Sequence, residues 1–573
     1  MIARSPAPAL DVPALPASAT LRGAAERFGD ATVLHQAGHE ITFGGLLARA
    51  SAFAHALHAD GVGRGDVVAL HLPNCPQYAI GYWGTLLAGA TVTPANPLLA
   101  PDDLGAQLAD AGAAVVVSWE AALPAVLAAR PATSLKRVLV TGAHGDPEQL
   151  PPEVTGLSAH LDGRPATPPG TDLEVDPDRD LAHLAYTGGT TGRSKGVRVT
   201  HRHVLTNALQ AACWGTGARP DVTATAHGPG VVLADPGPAS EFPTPIGTGR
   251  AIGIAPWFHA MGTIGGLNVP LLTGTTTIAH ARFDPRAYLA DATRFAVTSL
   301  SGAPPVYEAL LAHREAAGDL SSVRSLTSGA APLPVEIIRA LRDWFGEDLV
   351  ISEGYGLTEV TMAATLGPAA RSADRRPGTV GQPIAGTEIR ISGPDGDELD
   401  AGAEGEVWIR GPQVTGGYHR RPAETAAAFD GDGWLHTGDV GALDGDGYLR
   451  IVDRLKDMLL HKGYNVYPRD LEERLLALPG VTGAAVVGRP VGVDGEHPVA
   501  FLTTAPGADG TAVRAARRRA ERAPAAAPAA AGGAPGRGDP GLGGGEGAQA
   551  GPPRAAAGPV PGRGEGVTDS HPA

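Results

Sequence analysis

Short runs of apolar residues alternate along the chain with segments that have the spacing of amphipathic helices. The apolar runs predict buried strands at 67–72, 90–94, 114–117 and Arg137–Thr141. Longer segments beside and between them predict helices, for example at Phe43–Ala59 and 104–111. Because strands that alternate with helices are usually joined by crossover connections, the pattern predicts an α/β protein with mainly parallel sheets.

This pattern breaks down in two places. Residues 215–249 are rich in Gly, Pro and Thr without a clear period, which predicts an extended surface insertion, most simply a mobile loop without function. Residues 511–573 contain no aromatic residue, Ile, Met or Lys and are mostly Ala, Gly, Pro and Arg. Such a segment cannot bury enough apolar surface to offset the entropy lost on ordering, so we expect it to be disordered.

Composition and charge exclude several classes of protein. The 45 Lys and Arg against 60 Asp and Glu leave a net charge of −15, whereas a nucleic-acid-binding domain is normally basic. Only two cysteines, Cys75 and Cys213, exclude a disulfide framework and a cysteine-based zinc site. No apolar run reaches 18 residues, and residues 1–19 lack the apolar segment of a secretory signal. We therefore expect a cytoplasmic protein without an integral membrane segment.

The most informative segment is a loop rich in Gly and Thr that follows a strand-like run at 181–185. It reads Tyr186-Thr187-Gly188-Gly189-Thr190-Thr191-Gly192-Arg193-Ser194-Lys195-Gly196-Val197. Glycines let backbone N–H groups approach a ligand closely, threonines add hydroxyl donors, and Lys195 adds a mobile positive charge. The loop therefore predicts a cradle for a polyphosphate, and it is not a Walker loop because no Gly-Lys-Ser/Thr closes it.

This loop resembles the signature loop of the adenylate-forming enzymes, which include acyl-CoA synthetases, amino-acid adenylation domains and luciferases. The family's loop reads close to YTSGTTGxPKGV, and this chain departs from it at Gly188 and Ser194, both small residues. The resemblance extends from about Thr42 to Thr504. It implies ATP contacts from Thr187, Gly188, Gly189, Thr190, Thr191, Gly192 and Lys195.

An acidic motif resembles a second signature of the family. It reads Glu353-Gly354-Tyr355-Gly356-Leu357-Thr358-Glu359. The resemblance implies that Tyr355 stacks on adenine, that Thr358 holds the α-phosphate and that Glu359 ligates Mg²⁺, with Glu353 and Gly354 also at the nucleotide. Magnesium takes oxygen ligands and keeps several waters, so one carboxylate plus phosphates can suffice.

Two further motifs resemble the family's adenine and ribose contacts. Small residues in the turn Ser328-Gly329-Ala330-Ala331-Pro332-Leu333 allow a flat ring to lie against the backbone. The adenine contacts implied there are Gly329, Ala330 and Ala331. The string Gly433-Trp434-Leu435-His436-Thr437-Gly438-Asp439 implies that Asp439 accepts hydrogen bonds from ribose hydroxyls, and Arg454 also matches a ribose contact.

A histidine motif resembles the family's PxFHxxG element. It reads Pro256-Trp257-Phe258-His259-Ala260-Met261-Gly262. The resemblance implies that His259 lies against the acyl group and helps to arrange the carboxylate near ATP. The catalytic residues that the resemblance implies are thus Lys195, His259, Thr358 and Glu359, and none of them acts as a covalent nucleophile.

The resemblance also implies a domain organisation. A large N-terminal domain at 1–453 would consist of layered βαβ subdomains and a small β-barrel-like subdomain. A small, mobile α+β domain would follow at 454–510, incomplete, before the disordered tail at 511–573. Lys456 matches the hinge between the two domains, and Lys462 and Gly463 match a hairpin that lines the pantetheine path of coenzyme A.

The C-terminal part departs from the family in one important respect. Family members carry a Gly-Lys pair whose lysine reaches the reacting carboxylate and α-phosphate, but Lys462 is the last lysine of this chain. Either the tail is an out-of-frame translation of a GC-rich gene, or the protein is a genuine variant with an incomplete small domain. Before the tail, Leu471, Leu475 and Leu478 are spaced as on one face of a helix at 468–478.

The reaction implied is the ATP-dependent activation of a carboxylic acid to acyl-AMP and its transfer to coenzyme A. Residues 261–272 and 299–307 are apolar, rich in Gly and uncharged, which favours a medium- or long-chain fatty acid, or secondly an aryl acid. An amino acid would need an acidic partner for its ammonium group. Two alternatives stay open: transfer to a separate carrier protein, and a catalytically impaired ATP- and acyl-binding protein. A homodimer is an open alternative for the oligomeric state.

Overall fold

The computed structural model describes residues 1–143, 145–187, 194–461, 464–476, 478, 480–490 and 496–504. Several predicted residues lie outside this part of the chain, so their predictions stay untested. They are Gly188, Gly189, Thr190, Thr191 and Gly192 of the Gly/Thr loop, Lys462 and Gly463 of the hairpin, and the tail at 511–573.

One sheet carries the Gly/Thr loop at its edge. All its strand pairs are parallel except the edge pair, which is antiparallel. In spatial order its seven strands are Lys195–Thr200, Leu181–Thr187, Thr91–Pro94, Val67–His71, Ala113–Trp119, Arg137–Thr141 and Val154–Gly156. The central strand is buried at every position, as expected for a parallel strand that is covered on both faces.

A second sheet has nine strands, parallel in the middle and antiparallel at both ends. In spatial order they are Gln382–Pro383, Thr365–Leu366, Val350–Tyr355, Ser325–Ser328, Ser299–Gly302, Arg250–Gly253, Thr276–Ala279, Thr32–Gln36 and His39–Thr42. One apolar core joins the two sheets, because Leu70 and Val92 of the first and Val33 and Leu34 of the second belong to the same cluster of buried side chains. Helix Pro76–Leu87 contributes most of its residues to this core.

Helices pack against both sheets. The α-helices of the described residues are Ala19–Phe28, Phe43–Ala59, Pro76–Leu87, Pro101–Ala111, Leu123–Ala129, Leu157–Leu161, His201–Thr216, Val269–Thr273, Pro285–Arg294, Pro304–Ala312, Val335–Phe345, Pro422–Ala428 and Pro468–Leu476. A π-helical segment spans Met261–Asn268, and 3₁₀ turns lie at Glu120–Ala122, Arg130–Ala132, Thr171–Glu174, Arg314–Ala316 and Thr358–Val360. None of these helices is long and apolar enough to cross a membrane.

The predicted small β-subdomain is a five-stranded antiparallel sheet. Its strands in spatial order are Ile2–Arg4, Glu388–Ser392, Gly405–Arg410, Leu435–Leu443 and Leu449–Arg454. Beyond it lie two antiparallel pairs, Leu459–His461 with Tyr464–Val466 and Val481–Pro490 with Glu496–Thr504. Helix Pro468–Leu476 joins them through a small core that contains Leu459, Leu475 and Val486. The predicted α+β character of this part of the chain is confirmed.

The expectation of a mobile loop at 215–249 is wrong. Strands Arg219–Thr225 and Gly228–Ala234 form an antiparallel hairpin that packs on helix Ala19–Phe28. Val231 and Leu233 are each 1% exposed, so the hairpin has its own apolar anchor. A Cβ on Gly23 would lie 2.1 Å from the carbonyl oxygen of Val231, so only glycine allows this close approach. The high content of Gly, Pro and Thr concealed a short strand pattern.

Candidate active site

The two ends of the Gly/Thr loop lie side by side. The strands that flank it pair antiparallel, with Thr187 opposite Lys195. The Ser194 hydroxyl also donates a hydrogen bond to the carbonyl oxygen of Thr187. Tyr186 and Thr187 line a cavity of about 800 Å³. The loop therefore begins at the wall of a large cavity, and its other end lies beside this starting point.

The acidic motif forms a tight turn on the same cavity. Strand Val350–Tyr355 leads into the 3₁₀ turn Thr358–Val360, and both Thr358 and Glu359 line the cavity. A Cβ on Gly356 would lie only 1.8 Å from the carbonyl oxygen of Met362, so the turn requires glycine at this position. The turn places a carboxylate and a hydroxyl next to each other, as a phosphate and its metal ion would need.

Tyr418 connects the loop to the acidic turn. Its hydroxyl donates a hydrogen bond to Oε1 of Glu359 at 2.7 Å, and Lys195 Nζ lies 5.0 Å from the centroid of its ring. The backbone around it also joins the two motifs, because Val197 pairs with Tyr418 and the Thr415 N–H donates to the carbonyl oxygen of Glu359. Burial and the neighbouring Glu359 carboxylate raise the pKa of Tyr418, so its hydroxyl stays a donor.

Sequence reasoning missed Tyr418. An aromatic residue after Gly416-Gly417 is the only local signal, and it does not indicate either partner. Glu359 Oε2 has no hydrogen-bond partner within the described part of the chain, and no group of three metal-ligating side chains exists there. A carboxylate on the cavity wall with one oxygen unbonded within the described residues would suit the modest protein contribution that Mg²⁺ needs beside phosphates.

Asp439 and Tyr355 face each other at another part of the cavity wall. The Tyr355 hydroxyl donates to Asp439 Oδ2 at 2.7 Å, and Arg454 Nε lies 3.1 Å from Asp439 Oδ1. Burial raises the pKa of Asp439 although Tyr355 and Arg454 oppose the shift. Lys456 also lines the cavity. The predicted adenine, ribose and hinge residues thus meet at one place.

The predicted adenine turn divides into lining and supporting residues. Gly329, Ala330 and Gly354 line the cavity, whereas Ala331 and Glu353 are not among its lining residues. Glu353 Oε2 instead accepts a hydrogen bond from the Leu333 N–H at 2.8 Å and so holds the turn from behind. Its side chain therefore supports the site without facing it.

Ala330 is in an unusual conformation in the same turn. Its φ is +69°, a left-handed value that non-glycine residues rarely adopt. Such strain is retained when the surrounding structure fixes the backbone, and it occurs often at binding sites.

His259 lines the cavity at the end of a rigid turn. Asn74 holds this turn with its side chain, which accepts from the Trp257 N–H at 2.8 Å and donates to the carbonyl oxygens of Ala255 and Gly253 at 2.9 and 3.1 Å. Burial lowers the pKa of His259, so the imidazole is neutral at pH 7. Asn74 is 3% exposed, and the resemblance of Pro73-Asn74 to the family pattern did not indicate this supporting role.

The remaining walls of the cavity carry no charged side chain among the described residues. Both segments predicted to form the acyl pocket contribute, through Met261, Gly265, Gly266, Val269 and Pro270 on one side and Ser299, Leu300 and Ser301 on the other. Sequence reasoning missed the contributions of helix His201–Thr216 and of residues 215–249, which were predicted to be a surface insertion. These residues are Ala211, Ala212, Trp214, Gly215, Thr216, Pro243 and Thr244.

Comparisons with known proteins agree with this geometry. The AMP-binding enzyme family model matches residues 21–419, and the model of the AMP-binding enzyme C-terminal domain matches residues 470–531. The second match extends to residue 531, which is beyond residue 510, the predicted end of the small domain.

Curated and solved proteins extend the comparison. A long-chain-fatty-acid–CoA ligase of Bacillus subtilis is 34% identical over 514 residues, which cover 85% of each chain. A feruloyl-CoA synthase of Amycolatopsis is 35% identical and covers 83% of this chain and 86% of its own. The crystal structure of ATP-bound MatB from Rhodopseudomonas palustris is 28% identical, covers 88% of this chain and 92% of its own, and superposes with a TM-score of 0.74.

Proposed function

Because the chain belongs to the AMP-binding enzyme family, whose members here are AMP-forming acid–CoA ligases, we propose that it activates a carboxylic acid that has no second charged group. A medium- or long-chain fatty acid is the first candidate and an aryl acid the second, in line with the names of the fatty-acid and feruloyl relatives. The observation that supports this proposal best is the contact of Tyr418 with both Lys195 and Glu359, because Glu359 itself lines the cavity.

In the first step, a carboxylate oxygen attacks the α-phosphorus of ATP and pyrophosphate leaves. The enzyme positions the two reactants and stabilises the negative charge that builds up on the phosphate oxygens. Thr358 and Thr187 supply hydroxyl donors on the cavity wall, and Lys195, opposite Thr187, would supply an ammonium donor. Glu359 would hold Mg²⁺, which neutralises part of the phosphate charge when bound.

The nucleoside part of ATP would occupy the Tyr355 and Asp439 side of the cavity. Asp439 accepts hydrogen bonds there, as its existing bond from Tyr355 demonstrates, and ribose hydroxyls are suitable donors. Arg454 keeps this carboxylate oriented. Gly329, Ala330 and Gly354 offer a wall without bulky side chains for the adenine ring.

In the second step, the thiol of coenzyme A attacks the acyl carbon and AMP leaves. We propose that Lys456 acts at the hinge and that Lys462 and Gly463 line the path of the pantetheine arm. His259 would lie beside the acid in its neutral form, because a charged imidazole in this buried position is disfavoured.

A substrate screen tests this proposal. AMP and pyrophosphate release would be measured with saturated fatty acids, aryl acids and amino acids, each with and without coenzyme A. We expect AMP and pyrophosphate to be released with an acid that has no charged group besides its carboxylate. A thioester should form only when coenzyme A is present. Turnover of amino acids, or of no acid at all under any condition, would contradict the proposal. Acid-dependent AMP formation without use of coenzyme A would indicate a carrier protein as the acceptor.

The C-terminal composition leads to a second, separable proposal. The last lysine of the chain is Lys462, so the adenylation lysine of the family has no counterpart after it. Loss of one preorganised charge at the reacting phosphate costs roughly 10²–10³ in rate. We expect ATP to bind but the acid-dependent exchange of pyrophosphate into ATP to be slow. Replacement of the residues after Thr504 by the C-terminal segment of an active relative should raise the exchange rate by that factor, and an unchanged rate would contradict this explanation.

A further inference from the structure

Three neighbouring strands of the nine-stranded sheet present a row of hydroxyl groups. Ser299–Gly302, Ser325–Ser328 and Val350–Tyr355 run parallel, and their register places Ser301, Thr327 and Ser352 side by side. Adjacent strands lie about 4.8 Å apart, so the three hydroxyls form a continuous polar strip across the sheet.

This strip faces the cavity. Successive residues of a strand point to opposite faces. Leu300 and Leu326 border the cavity, but their side chains, like that of Ile351, belong to the apolar core behind the sheet. Ser301, Thr327 and Ser352 all line the cavity. The Ser352 hydroxyl and the Trp214 indole N–H both donate to the carbonyl oxygen of Gly367, which places the strip opposite the helix His201–Thr216.

A second row lies two residues earlier along the same strands. It contains Ser299 and Ser325, with Val350 at the third position. The rows are separated by about 7 Å, since each strand residue advances by about 3.3 Å. The nucleotide turns follow the carboxyl ends of these strands, so the second row lies farther from the ATP site than the first. An acid that extends away from its carboxylate along the sheet would pass both rows.

Most of these hydroxyls have no partner among the residues that the structure describes. Ser352 donates to Gly367, but for Ser299, Ser301, Ser325 and Thr327 the described part of the chain provides no hydrogen bond to the side chain. Thr327 is exposed although it lies in a central strand of the sheet. A purely hydrocarbon chain packed against these groups would separate them from water without replacing the lost hydrogen bonds, which is unfavourable.

The opposite wall is different in character. Gly265, Gly266, Val269 and Pro270 of the π-helical and following segments offer only apolar side chains or none. Thr273 and Thr275 also line the cavity there, but the Thr273 hydroxyl already bonds to the carbonyl oxygens of Val269 and Pro270 and to the Thr275 hydroxyl. Neutral hydroxyls can donate to and accept from an uncharged oxygen atom, whereas a second carboxylate or an ammonium group would be buried there without an opposite charge.

We propose that the acid carries an uncharged oxygen substituent, a hydroxyl, ether or carbonyl group, in the part distant from its carboxylate, and that Ser299, Ser301, Ser325, Thr327 and Ser352 bind this oxygen. We call these five residues the hydroxyl shelf. The proposal rests on the proposed function and narrows it from fatty or aryl acids in general to oxygenated ones. An oxygenated aliphatic chain and an oxygenated aromatic ring share this chemistry, and the experiment distinguishes them.

The test compares acyl-sulfamoyl adenosines, stable mimics of an acyl-adenylate, in matched pairs. The aliphatic pair is decanoyl and 10-hydroxydecanoyl, and the aromatic pair is cinnamoyl and 4-hydroxycinnamoyl. Calorimetry gives the ratio of dissociation constants within each pair and does not depend on turnover. Thr327→Val and Ser301→Ala remove shelf hydroxyls with little change of shape. Thr223→Val, in the hairpin away from the cavity, is the matched control, and melting temperatures verify that all variants fold.

We expect the hydroxylated member of at least one pair to bind about 3- to 10-fold tighter, the range of one neutral hydrogen bond. This preference should fall to near unity in Thr327→Val or Ser301→Ala and persist in Thr223→Val. The pair that responds identifies an aliphatic or an aromatic acid. Equal or tighter binding of both unsubstituted members would overturn the shelf proposal alone. Failure of all four mimics to bind would instead overturn the proposed function.

Discussion

The hydroxyl of Tyr418 donates a hydrogen bond of 2.7 Å to the carboxylate of Glu359. Tyr418 belongs to a segment that pairs with the strand after the Gly/Thr loop, so this bond ties the acidic turn to the loop. The same ring lies against the Lys195 ammonium group. One side chain thus fixes the separation between the positive and the negative group that would act on the phosphates.

Removal of the Tyr418 hydroxyl should weaken the binding of ATP in the presence of magnesium. Tyr418→Phe keeps the ring beside Lys195 but frees Glu359, and a hydrogen bond to a charged group is worth about 1.5–3 kcal/mol. We expect at least a tenfold rise in the Kd of ATP measured by calorimetry at saturating Mg²⁺, and a smaller change without Mg²⁺. Tyr448→Phe, which removes a hydrogen bond to the carbonyl oxygen of Asp374 outside the cavity, is the matched control. Identical ATP affinities of wild type and Tyr418→Phe would contradict this role.

Asp439 should make nucleotide binding sensitive to acid. Burial raises the pKa of Asp439 above the ordinary value of about 3.9, so on acidification the carboxylate takes up its proton earlier than an exposed aspartate. Protonation removes an acceptor for the ribose. As the pH is lowered from 7, the affinity for AMP should therefore begin to fall before the pH reaches 3.9. Asp439→Asn should bind AMP about tenfold more weakly at pH 7 and lose this pH dependence. Fluorescence titrations with AMP at several pH values measure both, with Asp444→Asn as the control.

The raised pKa of Asp439 affects the stability of the folded state in the opposite direction: acidification favours folding, although it weakens nucleotide binding. A carboxyl group with a raised pKa in the folded state contributes stability below its unfolded pKa, and this contribution is lost as the pH rises through the folded pKa. Asp439→Asn should therefore not destabilise the protein at pH 7. A large drop in its melting temperature at that pH would indicate that Asp439 is structural and not a ribose acceptor.

Loss of the Asn74 side chain should destabilise the turn that carries His259. Asn74→Ala leaves the buried Trp257 N–H and two carbonyl oxygens without partners, which costs about 2–4 kcal/mol of unfolding free energy. We also expect a higher KM for the acid with a nearly unchanged KM for ATP, because in the proposed function only the acid lies beside His259. Urea unfolding and initial rates provide the two measurements. Asn96→Ala, which loses one exposed bond to the Leu98 N–H, should change stability by less than about 1 kcal/mol.

A single methyl group at Gly356 should disrupt the acidic turn. Its Cβ would lie 1.8 Å from the backbone oxygen of Met362, so the backbone of the turn must move. We expect Gly356→Ala to reduce the acid-dependent exchange of pyrophosphate into ATP by more than about 100-fold, since misplacement by about 1 Å has that effect on positioned groups. Gly416→Ala is the matched control, because a Cβ there meets nothing within 4 Å although Gly416 lies close to Tyr418 in the chain. Equal rates of the two variants would contradict the prediction.

Local signals account for most of what could be predicted from the sequence. Helix Phe43–Ala59 has the predicted bounds because the Thr42 hydroxyl caps it by accepting a bond from the Gly45 N–H. Strand Val67–His71 follows from a continuous apolar run. The helix predicted from Leu471, Leu475 and Leu478 is also present at Pro468–Leu476. The family motifs could indicate candidate nucleotide residues because each motif is contiguous in the chain, and these assignments stay predictions.

Long-range pairing explains what could not be predicted. Tyr418 and Glu359 are separated by 59 positions, and no local pattern indicates their contact. The hydroxyl shelf depends on the register of three strands, and a shift by one residue would turn each hydroxyl into the core. Glu353 illustrates the converse, since its place in a signature motif suggested a nucleotide contact while its carboxylate holds the backbone of Leu333.

The antiparallel pairing of Thr187 with Lys195 has a consequence for how this site can change. Six successive pairs, from Lys195 opposite Thr187 to Thr200 opposite Leu181, anchor the two strands independently of the residues between them. Substitutions, insertions or deletions confined to 188–193 therefore leave the ammonium group beside the Tyr418 ring. Libraries that vary this loop in length and composition would thus test its proposed contribution to nucleotide affinity while the lysine keeps its position.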